Sequence, residues 1–383
     1  MKIVYVITSL SMGGAENMLY KLLSRLDRER FSSVVVCLTD IGIWGDRIAN
    51  LGIPVYSIGI KIGKPNPANI LQVLDTVRQF NPDLIQGWMY HGNLVAQFAG
   101  VFLSKEISVL WNIRHSLYSL RLEKLTTAVV IKLCALLSNF PTTIVYNSKI
   151  SATQHEQSGY YSQKTCVIPN GFDTEKFTPS VEAKYSVRSE LGIPENALLI
   201  GLIARYHPMK DHVNFLQAAS LLLKDYPDIQ FILAGTQVDW QNNILCKLIY
   251  KLGLVKQIHL LGERQDMPRL TAALDIAASS SYNGEGFPNV IGEAMSCGVP
   301  CVVTDVGDSG WIVGNTGRVV PRQKPEALAN AWKELIVLGS DGRQALGTVA
   351  RKRIIECFSL ESIVAQYEAL YESVLIGKTQ FKG

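Results

Sequence analysis

The chain alternates short apolar runs with longer stretches in which apolar residues recur every three or four positions. In the first half, residues 2–7, 33–38, 55–58, 84–88, 108–113 and 143–147 are short and largely apolar. Runs of this kind fit parallel strands covered on both faces. The helical spacing between them predicts helices over 15–26, 45–51, 69–80, 92–103 and 120–136. The second half repeats the pattern. Strands are predicted at 198–204, 230–235, 258–261, 276–279 and 301–304, with helices at 211–224, 240–252, 267–273 and 288–296 between them. An amphipathic helix closes the chain from residue 360 to 375. Alternation of this period means βαβ units. The predicted fold is α/β: two Rossmann-like, doubly wound domains facing one another across a cleft. Residues 1–175 form the first domain, 176–358 the second and 359–383 the C-terminal helix. Residues 171–190 are polar, contain Pro179 and lack a clear period, which predicts the interdomain linker there.

Ligands of such sheets bind beyond the carboxyl ends of the strands, so the loops after the strands carry the candidate chemistry. The segment Glu285-Gly286-Phe287-Pro288-Asn289-Val290-Ile291-Gly292-Glu293 is the most informative. Pro288 fits the first helical position, and Gly298 fits just past the helix end, with Pro300 beyond. Glu285 then points from a loop, and Glu293 rides two turns inside the helix. The helix start offers free N–H groups and partial positive charge to a phosphate. Arg205 and Lys210 flank the loop after strand 198–204 and suit a pyrophosphate gripped from two sides, stabilising negative charge on a leaving group. Gly13-Gly14 follows the first strand and either lets backbone approach a phosphate or makes a tight turn. Glu16 beside it complements the helix dipole. His115 follows strand 108–113 and suits a sugar hydroxyl or a proton transfer, or else a structural role. Asn170-Gly171 with Asp173 reads as a turn, and Asp305-Val306-Gly307-Asp308 as a loop.

Composition narrows the partners. The 383 residues are 48% apolar and 18% charged, ordinary for a soluble globular chain of two domains. The net charge of +4 is unevenly spread: residues 1–170 hold 16 Lys/Arg against 10 Asp/Glu, and residues 171–383 hold 21 against 23. The basic first half suits an anionic acceptor or an anionic membrane surface, with segment 120–136 as the amphipathic contact. Scattered basic residues give no support to nucleic-acid binding. Seven cysteines without C-x-x-C spacing argue against a disulfide framework and a zinc site. We expect a cytoplasmic protein without a cleavable leader, peripheral at the inner membrane face. G-x-G-x-x-G, G-x-x-x-x-G-K-[ST], G-x-S-x-G, H-x-x-x-H and D-x-D are all missing. Dehydrogenase, NTPase, serine-hydrolase and metal-dependent sugar-transfer readings weaken accordingly.

Taken together, the chain resembles the retaining GT-B-fold glycosyltransferases of family 4. The resemblance rests on the E-x7-E motif Glu285 to Glu293, on Met12-Gly13-Gly14-Ala15-Glu16, Arg205 with Lys210, Ile168-Pro169-Asn170-Gly171-Phe172-Asp173 and Thr304-Asp305-Val306-Gly307. It implies that Glu285 contacts donor-sugar hydroxyls and Glu293 the ribose hydroxyls. The segment Gly286, Phe287, Pro288, Asn289 and Val290 would meet sugar and pyrophosphate. Arg205 and Lys210 would bind the diphosphate, Gly13 and Gly14 would approach from the first domain, and His115 would match the family's active-site histidine. The base would lie near Arg264 and Met267. The donor would be a nucleotide sugar, UDP-linked first and GDP-linked next, the acceptor a saccharide or lipid-linked saccharide, and no metal or other cofactor would be needed. The C-terminal helix would cross back to the first domain. Two departures stand out: Asp211 replaces the usual glycine after Lys210, and Asp305-Val306-Gly307-Asp308-Ser309-Gly310 replaces the usual D-x-G-G with a following acid. Other readings on this architecture are an epimerase, a hydrolase or phosphorylase, or a non-catalytic nucleotide-sugar-binding protein.

Overall fold

The computed structural model describes residues 1–11, 13–60, 66–103 and 107–380. The chain divides into two compact units. One is Met1–Gly171 together with Leu360–Gly383; the other is Phe172–Ser359.

The first unit runs β1 (Lys2–Ile7), α1 (Gly14–Arg25), β2 (Ser32–Cys37), α2 (Gly42–Ala49), β3 (Val55–Ser57), α3 (Pro67–Phe80), β4 (Leu84–Trp88), α4 (Met89–Leu103), β5 (Ser108–Ile113), α5 (Leu125–Leu137), β6 (Thr143–Tyr146), α6 (Lys149–Gln157) and β7 (Thr165–Val167). Its seven strands are parallel, in the order β3-β2-β1-β4-β5-β6-β7. The order reverses between β1 and β4. Helix α4 lies hard against that point. A Cβ on Gly92 would stand 2.3 Å from the Val6 carbonyl oxygen, and one on Gly87 would stand 2.4 Å from Asn93 Cα. Two missing side chains therefore let backbone meet backbone. The turn from β4 into α4 has no intervening loop, and Met89 makes it with φ at 65°, a conformation that costs a residue with a Cβ.

The second unit runs α7 (Val181–Leu191), β8 (Leu199–Ile203), α8 (His212–Leu222), β9 (Gln230–Ala234), α9 (Asn243–Leu252), β10 (Ile258–Leu260), α10 (Met267–Ala272), β11 (Ile276–Ser279), α11 (Asn289–Ser296), β12 (Cys301–Thr304), α12 (Ser309–Val313), β13 (Arg318–Val320), α13 (Pro325–Val337) and α14 (Gly339–Phe358). Its six parallel strands are ordered β10-β9-β8-β11-β12-β13, with the reversal between β8 and β11. The chain then returns to the first unit as α15 (Leu360–Gln380). Leu360, Ile363, Val364, Tyr367 and Tyr371 of α15 are buried in one cluster with Tyr5, Leu22 and Trp88. Its hydroxyls are satisfied there: Tyr371 donates to Gln86 Oε1 at 2.6 Å, and Asn112 Nδ2 and Arg114 Nη1 donate to Tyr367 Oη at 2.8 and 2.9 Å.

Three expectations change. The linker does not run to residue 190, because α7 packs on the second unit through Ala183, Val187 and Arg188. Arg188 is 4% exposed and donates to Asp275 Oδ2 at 2.6 Å and to the carbonyls of Ala197 and Ala273. With a charged residue on its buried face, α7 shows no apolar period. The helix expected over 120–136 is broken into a 3₁₀ turn, Leu120–Leu122, and α5, because Glu123 and Lys124 are extended, with ψ at 152° and 140°. Finally, Pro288 is the N-cap of α11 rather than its first helical residue, with ψ at 111°.

The backbone contact at Gly92 generates a test. Gly92→Ala should destabilise the protein by about 1–3 kcal/mol through overpacking, read as a lower urea midpoint in equilibrium unfolding.

Candidate functional site

The order reversal in the second sheet falls between β8 and β11, and the loops leaving these neighbouring strands carry Lys210 and Glu285. The two loops are stitched together. The Tyr282 N–H donates to the Met209 carbonyl at 3.0 Å, and the Ser280 hydroxyl donates to the Lys210 carbonyl at 2.8 Å. Lys210 Nζ then donates to Glu285 Oε1 at 2.5 Å, with side-chain exposures of 19% and 9%. The Ser281 hydroxyl donates to the same oxygen at 2.6 Å. Both bonds fall on Oε1, so Oε2 is left for a hydroxyl, and an ammonium has three donors of which this pair uses one. The arrangement can hold a polyhydroxylated group at the carboxylate and an anion at the ammonium.

Asp211 begins α8 in the left-handed region, with φ at 48°, and its carboxylate accepts from the Asn214 N–H at 3.1 Å. A glycine at this position is explained by the backbone, and aspartate keeps the turn by supplying a cap instead. Burial pushes its carboxyl above the usual range.

Helix α11 is seated by aromatic packing. Phe287 is 5% exposed, and its ring lies 5.9 Å from Phe172, 5.7 Å from Trp311 and 5.6 Å from Phe358. Phe172 fits because Gly292 has no side chain: a Cβ there would stand 2.1 Å from the Phe172 ring. The turn read from Asn170-Gly171 thus delivers a ring beneath α11, which sequence reasoning missed. The signal was present as an aromatic residue beside the turn and a glycine inside a helix. Gly307 does comparable work, with φ at 60° and space for a Cβ only 2.5 Å from the Glu285 carbonyl. The Asp308 N–H donates to the Gly286 carbonyl at 2.8 Å, so loop 305–308 braces the carboxylate loop. Gly298 follows the end of α11 with φ at 70°. Glu293 is half-buried inside α11.

Arg205 stands exposed two residues past β8. Arg264 is engaged: Nε and Nη2 donate to Asp266 at 2.8 and 2.9 Å, and Nη1 donates to Glu190 at 2.8 Å. Arg264 first, and Arg269, whose Nε donates to Asp266 Oδ2 at 2.8 Å, hold the Asp266 carboxyl well below its usual range. With three nitrogens occupied, Arg264 offers its flat face rather than its edge. Met267 is half-buried against the core of the same unit.

In the first unit Gly13 is the extended N-cap of α1 and Gly14 its first residue. Met12, quoted with them above, lies outside the described residues. The Glu16 carboxylate folds back over Gly13, where a Cβ would meet Oε2 at 2.1 Å. His115 stands two residues past β5, with its side chain 39% exposed; Nδ1 is 3.2 Å from the Tyr90 hydroxyl and Nε2 is 3.6 Å from Glu123 Oε1. Tyr90 and Glu123 were not singled out in the sequence. No group of three or more metal-ligating side chains occurs among the described residues.

Residues 12–176 match the profile described as Glycosyltransferase Family 4, and residues 197–337 match Glycosyl transferases group 1. Together the two spans take in most of the chain. The chain belongs to the family 4 glycosyltransferases. Among similar family members is the UDP-Gal:alpha-D-GlcNAc-diphosphoundecaprenol alpha-1,3-galactosyltransferase of Escherichia coli, 28% identical over 56% of each chain. Another is a D-inositol 3-phosphate glycosyltransferase of Corynebacterium urealyticum, 33% identical over 57% of this chain and 54% of the relative. The matched region thus spans just over half the length of each. Anabaena HepE, solved in complex with UDP, superposes with a TM-score of 0.84 at 26% identity, covering 97% of this chain and 100% of HepE. The two parallel-sheet units are those of the GT-B fold.

The cap on α8 is separable from its backbone shape. Asp211→Gly should change stability by only a few tenths of a kcal/mol, whereas Asp211→Ala, losing the cap and keeping the strained φ, should cost about 1–2 kcal/mol in thermal or urea unfolding.

Proposed function

We propose that this family 4 protein transfers a sugar from a nucleoside-diphosphate sugar, UDP-linked, to a hydroxyl of a saccharide or lipid-linked saccharide, with the anomeric configuration retained and without a metal. The observation that carries this reading is the Lys210–Glu285–Ser281 constellation at the order reversal of the second sheet. In this reading the departing diphosphate sits between Lys210, Arg205 and the first turn of α11, where the backbone of residues 286–290 lies. Charge growing on the leaving phosphate is met by fixed donors, so the transition state is held more tightly than the bound donor. Oε2 of Glu285 accepts from the sugar hydroxyls, and Glu293 accepts from the ribose. Gly13, Gly14 and His115 act on the same donor, and the base stacks on the flat face of Arg264 near Met267. Neither glutamate serves as a nucleophile. The acceptor hydroxyl attacks the anomeric carbon from the face the diphosphate leaves, its proton passes to the leaving phosphate oxygen, and the C–O bond to the diphosphate breaks. The UDP assignment is supported by the complex of HepE with UDP, and the lipid-linked acceptor by the diphosphoundecaprenol substrate named for the E. coli relative.

A lipid-facing role has its own support. Helices α3, α4 and α5 enclose an apolar groove of about 500 Å³ lined by Ile70, Val73, Phe98, Phe102, Leu133 and Phe140. Val101 and Phe102 in its wall are 61% and 62% exposed, and Leu136 of α5 is 78% exposed. An apolar face of this extent on a unit with excess Lys and Arg suits an anionic bilayer surface. None of the described helices is long and apolar enough to cross a membrane. In this reading the protein is cytoplasmic, peripheral at the inner face of the membrane, and acts in the making of cell-surface glycans.

Two measurements follow. Lys210→Ala should lower sugar transfer from UDP-sugars by a factor of about 100 or more, measured as product formed with a panel of acceptors on protein whose circular dichroism is unchanged. Wild-type turnover in that variant would remove the proposed role of Lys210, and UDP release without transfer in the native protein would replace this reading with the hydrolase alternative. In sedimentation with vesicles of anionic phospholipid, the native protein should pellet at low salt and Val101→Asp/Phe102→Asp should stay in the supernatant.

A further inference from the structure

Behind His115 runs a line of buried polar groups that the transfer reaction does not account for. The Tyr90 hydroxyl lies 3.2 Å from His115 Nδ1 and 2.8 Å from His155 Nε2. His155 Nδ1 lies 2.7 Å from the Ser151 carbonyl oxygen. Tyr90 is 4% exposed, and His155 and Ser151 are fully buried. Ser151 grips both ends of the line, since its hydroxyl donates to the His115 backbone carbonyl at 2.6 Å.

The direction of these hydrogen bonds follows from their far end. A backbone carbonyl only accepts, so His155 carries its proton on Nδ1 and presents a lone pair at Nε2. The Tyr90 hydroxyl must then donate to His155, which leaves its oxygen as the acceptor facing His115. His115 meets that oxygen with an Nδ1–H. In its neutral form the ring is thereby left with a lone pair at Nε2; the Glu123 carboxylate, 3.6 Å from that nitrogen, pulls the other way, toward an Nε2–H.

The surroundings keep this order in place. Burial pushes His155 down to about 4, so it stays neutral and its Nε2 stays an acceptor. Burial pushes the hydroxyls of Tyr90, Tyr146 and Tyr160 up, and the Cys134 thiol up to about 12, so these neighbours stay uncharged. The rings of Tyr146 and Tyr160 stand 5.3 and 4.9 Å from that of His155. Charged neighbours among the described residues include Arg114, next to His115 in the chain, Glu123 and, beyond Tyr146, Glu156, which accepts from the Thr165 hydroxyl.

We infer that Tyr90 and His155 are positioning residues that hold His115 as its Nδ1–H tautomer, so that Nε2 accepts a hydrogen bond from a ligand hydroxyl. The functional half of this inference rests on the proposed reading in which His115 meets the sugar; the tautomer itself does not. A ring fixed as an acceptor selects a hydroxyl at that point and rejects a deoxy or O-alkylated sugar, whose missing donor would leave the lone pair unpaired.

The test reads the tautomer first. Ring-nitrogen NMR of the ¹⁵N-labelled full-length protein in mildly alkaline buffer, with His115 assigned by its loss in His115→Gln, should show Nδ1 protonated and Nε2 unprotonated. A protonated Nε2 in the native protein overturns the proposal, whatever the activity. Tyr90→Phe should release the ring toward the Nε2–H form and lower kcat by about tenfold or more while the donor KM changes by less than about twofold. A Tyr90→Phe protein that has switched tautomer yet keeps native kcat removes the positioning role. A native protein with the stated tautomer but no transfer from any nucleotide sugar supports the relay and sinks the proposed function instead.

Discussion

A lysine and a glutamate 75 positions apart, half-buried and joined to each other, hold the candidate site in shape. Each charge offsets part of the hydration the other gives up there. Their pairing therefore ties the loop after β8 to the loop after β11 and fixes where each can present its remaining capacity. The backbone bonds from Tyr282 to Met209 and the Ser280 hydroxyl reinforce the same join. The candidate ligand-binding groups are consequently not loose side chains awaiting a partner. They are half-satisfied, aimed groups whose unused lone pairs and N–H bonds define what can enter.

The second recurring device is the deletion of a side chain where two elements must approach. Gly292 admits the Phe172 ring, Gly307 admits the backbone of Glu285, and Gly92 admits the carbonyl of Val6. Each contact seats a segment of a candidate site rather than merely filling a core. Through Phe172 the start of α11 is seated; through Gly307 the carboxylate loop is braced; through Gly92 the helix carrying Tyr90 lies directly on β1. Such positions tolerate little, because the obstructing atom is backbone or a buried ring rather than a movable chain end.

Most strands were legible because parallel strands buried on both faces read as unbroken apolar runs, and the loops after them were legible as the place for chemistry. Residues 285–293 gave the helix and its glutamate, although Pro288 turned out to cap α11 rather than begin it. Helix α13 escaped although it buries Leu328, Ala331, Trp332 and Leu335 at helical spacing; the other missed elements showed little period. The buried face of α7 contains Arg188, and β7 and β13 are three residues each. Pairings across the fold escaped for a different reason. Tyr90 and His155 meet only because β4, β5 and β6 are neighbours in the sheet, and Lys210 meets Glu285 only because β8 adjoins β11. Adjacency of that kind is set by strand order, which local pattern does not encode.

The last helix carries a consequence for the birth of the molecule. Tyr367 and Tyr371 hydrogen-bond to the middle of the first sheet, and Leu360, Ile363 and Val364 fill its core. On the ribosome, the unit whose strands emerge earliest must therefore wait, with a hydrophobic gap and unmet Gln86 and Asn112 amides, until 188 intervening residues have been made. The second unit has no such debt to later sequence. The order of completion is thus the reverse of the order of synthesis, and a nascent chain stalled before residue 360 would leave that gap open to solvent and to chaperones.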